Sequence, residues 1–196
     1  MNIDLALIKQ RISDSPKPGP PRDGSFQQTT VFLLLFDSLD PRVLAIQKSD
    51  NEGYPWRNQV ALPGGHVDES DPTALEAAYR ELKEEVNIDR SQVDYFGSIG
   101  HFQTINHRDI QVFVGWWKEQ SKIRFDSLEI SRVLKIPIRK LADIHIKKQY
   151  QGRIPDVKEL VYPYRDVVVW GVTARILHHF IEILDPGTFD GQDYVK

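Results

Sequence analysis

No cysteine occurs in the 196 residues. That excludes disulfides, zinc–thiolate sites and a cysteine nucleophile, and it suits a reducing compartment. Basic blocks are lacking as well. The 25 lysines and arginines are outnumbered by 28 acidic residues, giving a formal net charge of −3. None are gathered into the kind of run that grips a nucleic-acid polymer. No apolar stretch approaches the roughly 18–20 residues of a membrane span. The N-terminal MNIDLALIKQRISD lacks the basic-then-apolar layout of a signal peptide, and the C-terminal DYVK carries no recognisable address. Internal repeats and low-complexity tracts are missing too. The expectation left standing is a cytoplasmic enzyme or binding protein, with neither nucleic acid nor membrane as partner.

What is present has the make-up of a soluble globular domain. Hydrophobic residues at 40% and charged residues at 27% supply a core without staples. Residues 2–13 read as a short amphipathic helix with Ile3, Leu5, Leu7, Ile8 and Ile12 as its apolar positions. DSPKPGPPRDGS (14–25) holds four prolines and two glycines and reads as an extended strap. TTVFLLLF (29–36) and RVLAIQKS (42–49) have the continuous apolar character of buried strands, joined by the turn DSLDP. DNEGYPWRNQ (50–59) is a loop. VDYFGSIGHFQT (93–104) and DIQVFVGWW (109–117) read as further strands. SLEISRVLKIPIRKLAD (127–143) is expected to give a loop, a strand and a turn of helix. YQGRIPDVKELVYPYRD (150–166) looks irregular, and VVVWGVTARILHHFIEIL (167–184) reads as a closing helix. Strands flanked by helices imply an α/β sandwich.

One segment carries chemistry: GGHVDESDPTALEAAYRELKEEVNI, beginning at Gly64. Asp71 before Pro72 is expected to cap a helix N-terminus, and Asn87 is a left-handed cap at its other end. Leu75, Ala78, Tyr79, Leu82 and Val86 repeat at helical spacing as the core-facing stripe. Glu81, Glu84 and Glu85 then fall within an arc of roughly 100°, with Glu85 bordering the stripe. Like charges at i,i+3 and i,i+4 repel, and partial burial makes that worse. A solvated charged face is the simpler reading of any glutamate run. Two features point instead to a divalent cation. The pair Gly64 and Gly65 sits just upstream, where backbone can approach a ligand closely. The carboxylates also lie beside the stripe, not opposite it. Oxygen ligands of this kind select Mg²⁺ (or Mn²⁺) over zinc.

The spacing resembles the Nudix box: Gly, five residues, Glu, seven residues, then R-E-U-x-E-E-x-G-U, where U is aliphatic. Arg80-Glu81-Leu82, Glu84-Glu85 and Asn87-Ile88 match its second half, with Asn in place of Gly. Asp71 stands for the first Glu, and eight residues separate it from Arg80. The resemblance implies a Nudix-type α/β/α sandwich with a mixed sheet and a loop-helix-loop catalytic motif. It also implies an enzyme that hydrolyses a nucleoside diphosphate linked to another moiety. Glu81 and Glu85 are then metal ligands, joined by Glu84 and the Gly65 carbonyl, and Arg80 pairs with a box carboxylate. Glu129, outside the box, is the candidate base or extra ligand; a surface acid in a loop is the alternative.

A longer stretch is similar to the coenzyme A diphosphatase branch. Leu44-Ala45-Ile46-Gln47-Lys48, then Trp56-Arg57-Asn58-Gln59-Val60-Ala61-Leu62-Pro63-Gly64-Gly65, stand where that branch has LLTxR and H-x-G-Q-x-A-F-P-G-G. VWGVTARIL (169–177) is similar to its closing helix. Lys48, Gln59, Gly64 and Gly65 are the expected substrate-binding residues. Lys48 replaces an arginine, Ile46 a threonine, Trp56 a histidine and Asn58 a glycine. The expected reaction is coenzyme A, or a derivative, to 3′,5′-ADP and 4′-phosphopantetheine. The alternatives are ADP-ribose or another nucleoside diphosphate conjugate, and a non-catalytic ligand-binding module. The partner is a small molecule, and a homodimer is compatible with all of these. The expected layout is a helix and strap over 1–25, the hydrolase domain over 26–186 and a tail over 187–196.

Other residues attract notice and receive plainer readings. His178 and His179 point about 100° apart on a helix and are read as packing and surface. His101 and His107 lie near strand ends that could border the pocket; contact with substrate is one reading and a plain loop role the preferred one. Trp116 and Trp117 alternate faces, one core and one exposed. Tyr150, Tyr162 and Tyr164 either stack an adenine or pack their loop down.

Overall fold

The uncharged run Gln27–Phe36 forms β1, the centre of a mixed sheet, and its residues Thr29–Phe36 are all buried. The computed structural model describes residues 4–22, 24–51 and 56–184. On one edge β1 runs parallel to β6 (Arg108–Trp117), which pairs antiparallel with β5 (Val93–Gln103). Its other edge is shared between two antiparallel neighbours. β2 (Arg42–Lys48) takes Leu34–Phe36, and the short β4 (Gly64–His66) takes Thr29–Val31. β2 also carries the two-residue β3 (Val60–Ala61) and, along its full length, β7 (Ile130–Pro137).

Both faces of this sheet are covered, for a reason visible in β1. Phe32, Leu34 and Phe36 point to one side and pack with Ala78, Tyr79, Leu82 and Val86 of α2 (Ala74–Val86). Val31, Leu33 and Leu35 point to the other. They pack against α1 (Leu5–Asp14), α3 (Ile138–Lys147) and α4 (Gly171–Leu184). Period-2 alternation with apolar residues on both faces is the mark of a strand between two layers. The result is the expected α/β/α arrangement. It also explains why Trp116 and Trp117 are both buried, contrary to the expectation that one would be exposed: adjacent strand residues face opposite layers, and neither layer is open.

The N-terminal helix starts at Leu5, capped by Asp4, whose carboxylate accepts from the Ala6 and Leu7 N–H groups. Ile3 lies outside the described residues. Ile8 and Ile12 are buried in the main core. The strap follows β5, where the Pro18 carbonyl accepts from His101 N–H at 2.8 Å. Gly100, at φ 103°, has no room for a side chain against Pro18.

Four local expectations are corrected. The last helix starts at Gly171, not at 167. Val167–Val169 form β9, which pairs with β8 (Tyr162–Tyr164), as a β-branched run prefers. Gly171, the first residue of α4, has a left-handed φ of 65° that sets β9 off from the regular helical turns. The irregular stretch 150–166 therefore contains a strand. α3 is ten residues rather than one turn, because Ile138, Leu141, Ala142 and His145 bury one helical face. Asp71 does not cap α2. Thr73 does, accepting from the Glu76 N–H at 3.2 Å, in the Thr-x-x-Glu pattern of a capping box.

Candidate active site

The loop from β3 into β4 brings the glycine pair against α2. Gly64 N–H donates to Glu85 Oε2 at 2.8 Å. Gly64 has φ 152°, and a Cβ there would run into the Thr30 carbonyl and Val31 of β1. A Cβ on Gly65 would occupy the space of the Glu81 carboxylate. Each glycine therefore answers a steric demand: one lets β4 close on β1, and the other leaves room for an acidic side chain.

α2 supplies the carboxylates. Glu85 is 8% exposed, Glu81 is half-buried, and Glu84 faces solvent. Lys48, at the end of β2, donates to Glu85 Oε1 at 2.6 Å. Burial pushes the Glu85 carboxyl above the usual range, and Lys48 and Gly64 N–H oppose it only in part. Burial also raises Glu81, against the pull of Arg80 and with further upward pressure from Glu85 and Glu84. The positive charges of Lys48 and Arg80 thus leave part of the acidic cluster unneutralised.

Arg80 is the organiser. Its Nη1 donates to Glu81 Oε1 at 2.8 Å and Glu84 Oε2 at 3.1 Å. Its Nη2 donates to the His66 carbonyl at 3.0 Å and Asp71 Oδ2 at 2.9 Å, and Nε to Asp71 Oδ1 at 3.1 Å. The two parallel bonds to Asp71 form a fork that fixes the plane of the guanidinium. Those bonds hold the Asp71 carboxyl below the ordinary aspartate range. Asp71 is thus the anchor of Arg80, a role that its place before Pro72 did not indicate.

Of the remaining expected residues, Glu129 and Gln59 are tied to the end of β2 beside this centre, while the three tyrosines pack on the opposite face of the sheet. Glu129 is exposed, and its charge contributes to the upward shift of Glu85. Its carbonyl accepts from Ser49 N–H at 2.9 Å, which ties its turn to the end of β2 beside Lys48. Gln59 receives Lys48 N–H on its carbonyl at 2.9 Å. His101 is tied to Asp109 through Nδ1 at 2.8 Å, and His107 sits in the β5–β6 turn. The three tyrosines are buried, and their hydroxyls serve the protein: Tyr150 on the Glu159 carbonyl, Tyr164 on the Lys135 carbonyl, Tyr162 on His145. They pack their segment down and leave no face for an adenine.

The sequence reading missed one neighbour of the centre, Arg108. Arg108 lies over the Trp56 ring at 4.5 Å and places Nη1 3.3 Å from His66 Nε2. No local pattern marks Arg108, because its partners come from the 50–59 loop and from β4.

The residues fit a hard divalent cation. The donors are carboxylates and a backbone carbonyl, the set that suits Mg²⁺ or Mn²⁺, and Gly65 leaves space beside Glu81. Among the described residues, no helix is long and apolar enough to cross a membrane.

Comparison with known proteins agrees with this geometry. The NUDIX domain profile matches residues 26–157. The uncharacterized Nudix hydrolase NudL of Escherichia coli (strain K12) is 32% identical over 154 residues, 77% of this chain and 79% of that one. The NudL protein of Photorhabdus laumondii is 26% identical over 188 residues, 92% of this chain and 97% of its own. The crystal structure of a MutT/nudix family protein from Enterococcus faecalis superposes with a TM-score of 0.52 at 15% identity, covering 93% of this chain and 70% of that one.

Proposed function

The chain belongs to the NUDIX domain family and is a Nudix hydrolase of diphosphate-containing substrates; from that premise we propose that its substrate is coenzyme A or a close derivative, cleaved to 3′,5′-ADP and 4′-phosphopantetheine. The observation that carries the reading is the meeting of the branch-like segments at one centre. Lys48 ends the first of them and Gly64 belongs to the glycine pair that closes the second, and both bond the same carboxylate, Glu85. A small-molecule substrate in the reducing cytoplasm belongs to the same reading, and a chain without cysteine suits that setting.

In this reading Glu81, Glu84 and Glu85 hold Mg²⁺ (or Mn²⁺), with the Gly65 carbonyl as a further ligand. When bound, the ion neutralises phosphate oxygens and acidifies water at neutral pH. The chain's own residues do the rest. Arg80 fixes the carboxylates of Glu81 and Glu84 and is itself fixed by Asp71. Lys48 sets a positive charge beside the diphosphate. Gln59, Gly64 and Gly65 line the approach. Glu129 takes the proton of the attacking water, whose oxygen bonds to phosphorus as the bridging P–O bond breaks.

One observation supports the alternative substrate, ADP-ribose or another nucleoside diphosphate conjugate, equally well. Lys48 already contacts Glu85, so its charge serves the diphosphate that all such substrates share, rather than a distant 3′-phosphate. A non-catalytic binding module fits less well, because a binder has no need to keep repelling carboxylates half-buried. The test is a panel of diphosphates with Mg²⁺, with kcat/KM measured for each and products identified by mass. The proposal expects coenzyme A or a thioester of it to lead the panel. A clear preference for ADP-ribose would transfer the function to the alternative.

A further inference from the structure

Behind the sheet, on the side away from α2, three metal-competent side chains meet. His178 and Glu182 are four residues apart on α4 and so share one helical face. His145 of α3 packs against them, its ring centroid 4.8 Å from that of His178. One ligand atom from each of the three lies within 4.8 Å of the other two. His145 is fully buried and His178 is 6% exposed. Glu182 and His178 also border a cleft of about 430 Å³, whose lining includes Arg153 and Arg175.

The surroundings orient each side chain through its other polar atom. His145 Nδ1 faces the Tyr162 hydroxyl at 2.9 Å while Nε2 points to Glu182 Oε1 at 2.6 Å. Gly152 N–H holds Glu182 Oε2 at 3.0 Å. His178 Nε2 donates to the Tyr150 carbonyl at 3.3 Å, which leaves the lone pair on Nδ1. Outer partners of this kind fix ligand tautomers in metal sites. Two imidazoles and a carboxylate are the donor set of catalytic and open zinc sites, and differ in kind from the all-oxygen centre on α2.

We propose that His145, His178 and Glu182 form a second metal site, selective for a borderline first-row ion such as Zn²⁺, with a fourth position open to the cleft. Tetrahedral zinc sets its ligand atoms roughly 3.3 Å apart. The spread of the three must therefore close, and the short His145–Glu182 contact must open. The ion takes the place of the proton between His145 Nε2 and Glu182. That proton moves to Nδ1, where the Tyr162 oxygen accepts it. The bound ion joins α3 to α4 and stabilises the fold.

The experiment is Zn²⁺ binding to the full chain in excess Mg²⁺, which occupies the α2 carboxylates. Dialysis with elemental analysis counts the metal, and histidine ¹⁵N chemical shifts locate it. The expected result is one Zn²⁺ per chain, a higher Tm, and shifts confined to His145 and His178. His178→Gln should weaken Zn²⁺ by about a hundredfold or more while leaving Mg²⁺-dependent turnover unchanged. Equal Zn²⁺ affinity in wild type and His178→Gln, or Zn²⁺ binding with no shift at His145 and His178, would overturn the site and leave the three residues as a hydrogen-bonded network. Should His178→Gln fail to fold, the wild-type shifts decide alone. Neither readout depends on which diphosphate the enzyme cleaves.

Discussion

Lys48 and Glu85 meet at 2.6 Å across 37 residues of chain. The contact joins the end of β2 to α2 and puts an ammonium at the acidic centre. Its partner carboxylate is also bonded by Gly64 N–H. One carboxylate thus reports on three segments.

Lys48→Ala is expected to lower kcat/KM by roughly ten- to a hundredfold, the cost of one charge-assisted contact of about 1.5–3 kcal/mol. Coenzyme A and dephospho-coenzyme A should suffer equally, because the diphosphate is common to both. Kinetics on the two substrates side by side check this. A loss confined to coenzyme A would instead assign Lys48 to the 3′-phosphate.

Glu81→Gln and Glu85→Gln should each lower turnover by orders of magnitude with the fold intact. In chelator, Glu81→Gln should melt higher than wild type, because a half-buried carboxylate with a raised pKa destabilises the folded chain when ionised. Thermal melts with and without Mg²⁺ measure both effects, and the stabilisation by Mg²⁺ should shrink in the variant.

The pH dependence follows from the same shifts. The Glu81 and Glu85 carboxyls titrate above the ordinary glutamate value of 4.5. The folded chain therefore binds these protons more tightly than the unfolded chain. The penalty of ionisation is present above the folded pKa values and is relieved as pH falls through them. On the proposed ligand set, protons and metal compete for the same oxygens, so Mn²⁺ affinity should fall over that window, already above pH 4.5. Mn²⁺ titrations followed by electron paramagnetic resonance, run from neutral pH toward about pH 5, check the sign. Affinity that stays flat down to pH 4.5 would contradict the raised values.

Two substitutions separate the helix cap from the guanidinium anchor. Thr73→Ala removes the observed cap and should cost about 1 kcal/mol of stability with little loss of turnover. Asp71→Ala frees Arg80, so it should lower kcat more than Thr73→Ala does at equal Mg²⁺. Melting curves and steady-state rates on the pair test the assignment. Equal rates in the two variants would remove Asp71 from the support of the site.

What was legible in the sequence was local. β1, β2, β5 and β6 follow from apolar runs and α2 from apolar periodicity, and Asn87 takes its left-handed cap at φ 57° and ψ 39°. The burial of Glu85 follows from its place beside the stripe of α2. What escaped depends on tertiary neighbours. Trp116 is buried because helices cover the second face. Val167–Val169 pair with Tyr162–Tyr164, which outweighs their continuity with a helical pattern. Asp71 precedes a proline as a cap would, yet Arg80, nine residues on, claims its carboxylate. Thr73-x-x-Glu76 was a readable capping signal passed over for a louder one. Lys48 on Glu85, and Arg108 between Trp56 and His66, join segments whose proximity no local pattern encodes.

The central claim is a metal-dependent diphosphatase built on Glu81 and Glu85, and incubation of coenzyme A with Mg²⁺ and the wild-type or Glu85→Gln enzyme tests it most directly. Mass analysis should show 3′,5′-ADP and 4′-phosphopantetheine from the wild type, and neither in chelator nor from Glu85→Gln. The same products at the same rate from Glu85→Gln, or from wild type in excess chelator, would contradict the account.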